Sequence, residues 1–440
     1  MPLFDRPLAN SKFALNALEF IGLLGGEEVI SVLTMIPLYR GRRWLGWYNT
    51  PGSLDIARRL VEVGSSFQKH PYRNQSPATL LGLDNHTGPE FVAAFSGTKV
   101  QTSHLGYLML ERTTEVNGGR AHQIPGRVAM PVTVTLLEVD PEMIDLERPF
   151  PLLHITHTLL ALIPITTSIV TCLLCCFVSD WYMFSVILVG MLTSGFASMV
   201  IGSGKLTLHA SKPPPGAPPG HGMIISGDTG TIVVVRGSGF FMNVITKGKF
   251  NLQGDEYWQN GIRLCAVFYL AECVAQVVLI PQGTLFGQIM FIVSLCVSWT
   301  HSYRLASFKK ERLQAELLFD TLGEPRVRKF SVGTRTTTAA FVCLLLFHGE
   351  RSLPSAYHRI LTAVVPNDTL VWSRWREKVV NQLQSENDES LPYLELDERE
   401  QTLPDSEQVL LQQLLRDAAA AFKGYLSIYG SLYSPSFKSC

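Results

Sequence analysis

Hydrophobic positions concentrate in the middle of the chain, in four long runs that fall into two pairs. Leu152–Val178 and Trp181–Ser203 flank Ser179 and Asp180, while Ile262–Ile280 and Gly283–Thr300 flank Pro281 and Gln282. A hydrocarbon layer ~30 Å thick takes roughly 20 apolar residues of helix. The spacing therefore predicts two transmembrane helical hairpins, and an α-helical membrane protein as the fold class. Pro164 is expected to bend the first helix, and Trp181 and Tyr182 suit the headgroup level. Gly190, Ser194, Gly195, Ala197 and Ser198 offer small side chains where helices approach closely.

Outside these runs the pattern is that of soluble protein. Residues 1–150 read as a mixed α/β region. A helix is expected from Ser53 to Phe67 with Ser53 as its cap, and strands at Leu105–Arg112 and Arg127–Val139 around an Asn117-Gly118-Gly119 turn. Phe13–Ile36 is apolar but broken by Glu19, Glu27, Glu28 and glycines, which predicts a buried or amphipathic helix pair rather than a span. Residues 152–203 form the first hairpin and 262–300 the second. Between them, 204–261 hold the stiff run Pro213–Gly220 and a small β element from Met223–Ser226, Thr231–Arg236 and Phe241–Lys247. Tyr257 and Trp258 close it as a second interfacial pair. Residues 301–440 open on a basic amphipathic helix at Ser307–Thr321 and continue as helices at Pro354–Val365, Thr369–Leu383 and Ser406–Tyr425. Thr336–Phe347 is apolar but too short to span, so it reads as a core or interfacial element. An acidic break covers Ser385–Glu400, and Gly430–Cys440 reads as a frayed end.

Composition adds little to this division. Charge is balanced at 37 basic and 37 acidic residues, so net charge selects no nucleic acid or other charged partner. Charged residues are 17% of the chain, below the ~25% of soluble proteins, and the deficit lies in the central runs. The start, Met1-Pro2-Leu3-Phe4-Asp5-Arg6, lacks the basic and apolar regions of a signal peptide, which leaves the first span as internal anchor. Cysteines cluster in the spans (Cys172, Cys175, Cys176, Cys265, Cys273, Cys296) and suggest no disulfide framework. Neither hairpin turn contains Lys or Arg. Lys205, Lys212, Arg236, Lys247 and Lys249 follow the first hairpin, and Arg304, Lys309, Lys310 and Arg312 come at and after the end of the second. Retained basic residues mark the cytoplasmic side, so both termini and the central loop are expected there. The sequons at Asn85 and Asn367 would then stay unused.

Candidate chemistry is sparse. Glu272 sits inside a span, where a carboxylate costs roughly 2.5 kcal/mol or more and normally faces a cavity or partner. With Gln276 one turn on and Gln288 in the paired helix, it reads as a proton or ion site or as a packing contact. His154 and His157 share a helix face, but a metal needs further ligands and the spacing supplies none. Lys309, Lys310 and Arg312 are headgroup candidates directly beyond a span, and the cluster of Arg40, Arg42, Arg43, Trp44 and Trp47 is another. Gly202-Ser203-Gly204-Lys205 lacks the spacing and the Ser or Thr of a phosphate loop. No catalytic motif is present, so no cofactor is expected.

Pro213–Gly220 with Gly222–Leu252, and Leu410–Gly430, resemble uncharacterised four-span membrane proteins of fungi. The resemblance covers the latter two thirds of the chain. It implies a multi-pass fold and brings no activity, cofactor or site residue. The expectation is a non-enzymatic membrane scaffold or interaction protein, with the bilayer as its partner and a homo-oligomer as an option. The alternative is a transporter or proton-linked channel using Glu272.

Overall fold

A computed structural model describes residues 8, 27–39, 41–67, 76–115, 121–145, 155–226, 230–348, 352–384 and 403–429. The expectations for Asn117–Gly119, for Ser385–Glu400, for Gly430–Cys440 and for most of Phe13–Ile36 lie outside the described residues.

In chain order the strands are β1 (Glu90–Ala93), β2 (Lys99–Gln101), β3 (His122–Gln123), β4 (Val132–Glu138), β5 (Lys205–His209), β6 (Gly222–Ile225), β7 (Thr231–Arg236), β8 (Lys249–Gln253) and β9 (Arg326–Val332). Four helices are long and apolar enough to cross a membrane: Thr158–Phe177, Trp181–Ile201, Glu256–Gln282 and Leu285–Ala306. They are called the first to fourth spans below. Pro164 lies within the first, in helix Ile155–Phe177.

The chain folds into two interleaved units. The first takes 1–85, 147–209 and 250–317; the second takes 86–146, 210–249 and 318–440. The division in space thus differs from the linear one expected above. The N-terminal 150 residues are shared between both units, and the small central β element is part of a larger sheet. The physical reason is strand pairing over long sequence distances. Seven strands run in the order β2-β1-β6-β7-β4-β9-β3. Strand β4 pairs in parallel with β7, Thr133 opposite Thr231, and antiparallel with β9, Thr133 opposite Ser331. Strand β9 falls in the region expected to be wholly helical. The strands β5 and β8 form a separate two-stranded sheet.

Strand β4, within the expected Arg127–Val139 strand, uses both of its faces. Val132, Val134 and Leu136 join Ile232, Val234, Phe330 and Val332 in one core, while Thr135 and Leu137 on the other face are also buried. Burial on both sides is what a central strand requires. The short apolar run 336–347 becomes helix Arg335–Leu346, capped by Thr334 and packed into the core over β4, β7 and β9. Helices Pro354–Val364, Leu370–Gln384 and Asp405–Tyr429 complete that layer. Burial pushes the Cys343 thiol up, so it acts as a small apolar filler.

Two expected strands are helices. Leu105–Arg112 lies in helix His104–Glu115, where Leu105, Leu108 and Met109 share a buried face at i, i+3 and i+4. Phe241–Lys247 lies in helix Gly239–Lys247, whose N-terminus is closed by the Ser238 hydroxyl accepting from the Phe241 N–H. Apolar runs of this length are ambiguous by periodicity, and packing decided them.

Trp375 is fully buried and its indole N–H donates to the Leu414 carbonyl at 3.1 Å. Trp375→Ala is expected to destabilise the second unit by about 3–5 kcal/mol, read as an earlier denaturant midpoint in the full chain. An unchanged midpoint would contradict this packing.

Candidate intramembrane polar site

The two hairpin turns meet. Asp180 caps the second span by accepting from the Met183 N–H at 3.2 Å. Its other oxygen accepts from the Thr284 N–H at 2.8 Å and the Thr284 hydroxyl at 2.6 Å, while Thr284 caps the fourth span at Gly287. Gly287 is required, since a β-carbon there would lie 2.2 Å from the Asp180 carboxylate. Gln288 serves the same end of the bundle. It donates to the Ile280 and Gly283 carbonyls, and is not brought to Glu272.

A segment before the first span enters this bundle. Helix Ser53–Ser66 packs against the third span, with Gly64 beside Arg263 and the Ser53 hydroxyl donating to Gln276 at 3.2 Å. Its cap is Gly52 in the left-handed conformation at φ 75°, rather than Ser53, whose hydroxyl is committed to the third span. The preceding residues run along the second span. Gly46 lies on Ser198, Trp47 on Gly195 and Asn49 on Gly190, so the small side chains that suggested helix–helix approach instead admit this strand of backbone. The Asn49 N–H donates to the Ser168 hydroxyl at 3.1 Å, and Ser168 bonds Ser294 at 3.0 Å. Thr50 bonds Ser194 at 2.7 Å. Helix Glu27–Met35 packs on the fourth span. Residues 46–53 are therefore tied to the first three spans by these contacts and to the fourth by Tyr48, whose ring meets His301 edge-on at 5.8 Å. Irregular backbone inside a bundle is tolerable where protein surrounds it.

Glu272 lies at the heart of this arrangement and is 1% exposed. One carboxylate oxygen accepts from the Gln276 amide at 3.0 Å, and the Thr193 hydroxyl is beside it. The other oxygen has no hydrogen-bond partner among the described residues, and neither do the oxygen and nitrogen of the wholly buried Asn49 carboxamide. A β-carbon on Gly190 would lie 2.3 Å from the Asn49 oxygen and 3.3 Å from Glu272 Oε1, so both groups converge on one glycine. A carboxyl group buried in this way is stable when a proton keeps it neutral, or when a cation offsets its charge if it is ionised. The surrounding groups are oxygens of carboxylate, amide and hydroxyl type, which suit a proton or an alkali cation better than a transition metal. Among the described residues no group of three or more His, Cys, Asp or Glu could hold a metal ion.

A second buried carboxylate provides a contrast. Asp417 accepts from Arg127 at 3.1 Å, Thr334 at 3.2 Å and Thr336 at 2.6 Å. Its charge is paired, and it clamps helix Asp405–Tyr429 to helix Arg335–Leu346.

Of the residues singled out from sequence, Glu272 and Gln276 come together. Lys309 is exposed, the Lys310 ammonium donates to the Gly82 carbonyl at 3.0 Å, and Arg312 faces Glu316 at 3.6 Å. Arg42 is buried, and Arg43 stacks over Trp44 with 5.2 Å to the ring centre. Tyr257 is 86% exposed, whereas Trp258 is buried and donates to the Val200 carbonyl at 2.7 Å. His154 and the side chain of His157 lie outside the described residues. Asn49, Thr50, Ser168, Thr193 and Ser294 escape sequence reading, and Ser53 reads only as a helix cap, since Asn49–Ser53 has the composition of an ordinary turn. No family model, no curated protein and no solved structure matches this chain.

Gly190→Ala is expected to cost about 1–3 kcal/mol by driving the new methyl group into Asn49. The check is thermal unfolding in detergent: an unchanged transition would show that residues 46–53 do not lodge against the second span.

Proposed function

We propose that this is a multi-pass membrane protein that binds a proton or alkali cation at Glu272 and works as a transporter or proton-linked channel. What supports the reading is a buried Glu272 carboxyl with one oxygen lacking a hydrogen-bond partner among the described residues, together with the unpartnered Asn49 carboxamide that approaches the same glycine, Gly190. An ionisable residue retained in such a place costs stability, and its usual return is function. The segment 46–53 with helix Ser53–Ser66 is the element that moves, because a short helix ending within the bundle can expose or cover the carboxyl. Residues of a single chain complete the site, so it needs no second copy.

The sheet and the charges support one topology. Strands β4, β7 and β9 come before, between and after the hairpins, and they are neighbours. This favours hairpins that leave and return to one side of the bilayer. The basic residues flanking the spans favour the cytoplasm as that side, with the Ser179-Asp180 and Pro281-Gln282 turns on the other.

The scaffold reading stands second. It is favoured by the composite seven-stranded sheet, an extensive folded body drawn from three separate segments. In that case Glu272 holds the bundle together and moves nothing.

Flux separates the two. Full-length protein in liposomes loaded with a pH-sensitive dye is expected to pass protons under an imposed potential, with or without a sodium gradient. Glu272→Gln, which keeps the shape and the Gln276 bond, is expected to abolish the flux. Parent flux no greater than that of empty vesicles would leave the scaffold. A second expectation concerns sidedness. In sealed cells an impermeant thiol reagent should label Gln282→Cys from outside, and His122→Cys, Lys212→Cys and Ser373→Cys only after the membrane is opened. Any of the latter three labelled from outside would overturn the orientation.

A further inference from the structure

We propose that the groove between helix Ser53–Ser66 and the third span binds one anionic glycerophospholipid from the surrounding bilayer. The groove is open to the surface and has a volume of about 640 Å³, within the roughly 300–1,000 Å³ of small-molecule sites. Its walls are largely apolar: Leu54 and Val61 on the short helix face Val267 and Leu270 on the third span. All four side chains are exposed, Val61 at 58% and Val267 at 59%, on surfaces that in a membrane meet hydrocarbon rather than water. The groove follows the third span from Arg263 to Leu270, seven residues or about 10 Å of helix, which matches the part of an acyl chain nearest its headgroup.

Charge selects the headgroup. Arg58 and Arg263 both line the groove. Arg263 donates to the Gly64 carbonyl and to Asn260, each at a long 3.4 Å, and no carboxylate pairs with it among the described residues. Arg58 is 3.9 Å from Asp55, beyond hydrogen-bond reach, with 70% of its side chain exposed. The acidic residue in the lining, Glu62, is already engaged by Arg59 at 3.1 Å. Two guanidinium groups thus border an apolar trough at the end nearer the start of the third span. A lipid phosphate can accept forked bonds from them while its chain covers Val61 and Val267. A zwitterionic lipid offers the same phosphate but adds a cation beside two arginines, so the preference is for net negative headgroups. This site is separate from Glu272 and can hold whether or not the protein conducts protons.

The test uses full-length protein in nanodiscs of equal phosphatidylglycerol and phosphatidylcholine, released into the gas phase for native mass spectrometry. The parent should retain one phosphatidylglycerol per chain in clear excess over phosphatidylcholine. Arg263→Gln should lower that retention about tenfold, as expected for one charge-assisted contact. Val61→Trp, at an exposed position, should fill the trough and displace either lipid, with thermal unfolding showing that the fold is kept. Absence of retained lipid, equal retention of the two lipids by the parent, or undiminished phosphatidylglycerol on Arg263→Gln would each overturn the proposal. Should either variant fail to fold, competition between the two lipids on the parent decides alone.

Discussion

The structure depends on one set of strand pairings. Strand β4 lies between β7 and β9, and at its end Glu138 is held by Arg236 at 3.5 Å on one neighbour and by Arg328 at 2.6 Å on the other. These residues come from before, between and after the two apolar hairpins. A ladder of backbone hydrogen bonds cannot be shared across a bilayer. Under the proposed topology each hairpin crosses an even number of times, and in sequence the hairpins interrupt the sheet-based unit. Neither unit is a continuous stretch of chain, so cutting the molecule at a linear boundary would sever both.

Both units pair buried polar groups and both leave some atoms without a hydrogen-bond partner among the described residues, Arg376 Nε and Tyr429 Oη in the sheet-based unit among them. In the sheet-based unit Asp417 is paired with Arg127 and two threonines, and Trp375 has its carbonyl. That is the expected behaviour of a protein interior, where an unpaired polar atom costs roughly 1–3 kcal/mol. In the four-span unit hydroxyls of Ser168, Ser194 and Ser294 are matched with care, yet Glu272 and Asn49 are left with open valences at the centre. An unpartnered buried polar group calls for a physical explanation, and at Glu272 the one proposed above is a bound proton or cation.

Much of the architecture could be read from the residues alone. The four spans, the helix starting at Ser53, the strands at 132–138, 223–225 and 231–236, and the buried carboxyl at Glu272 all follow from periodicity and from the cost of charge in hydrocarbon. Two things did not follow. Short apolar runs such as 105–112 and 241–247 fit a strand or a helix equally, and only their neighbours in space decide between them. Gln276 beside Glu272 was legible, but the segment 46–53 near it was hidden for another reason. Asn49-Thr50-Pro51-Gly52-Ser53 carries every mark of a surface turn, and nothing local reveals that Gly190, Ser194 and Gly195, over a hundred residues away, leave room for it inside the bundle.

The most direct measurement joins membrane insertion to strand pairing in one molecule. Cysteines placed at Thr133 and Ser331, which face each other across β4 and β9, are introduced into the full chain and oxidised in native membranes. The membranes are then washed with carbonate and sedimented. An intramolecular disulfide, seen as a faster-running band without reductant, is expected in protein that stays in the pellet. A cross-link confined to protein released into the supernatant, or no cross-link in the pellet, would contradict that expectation.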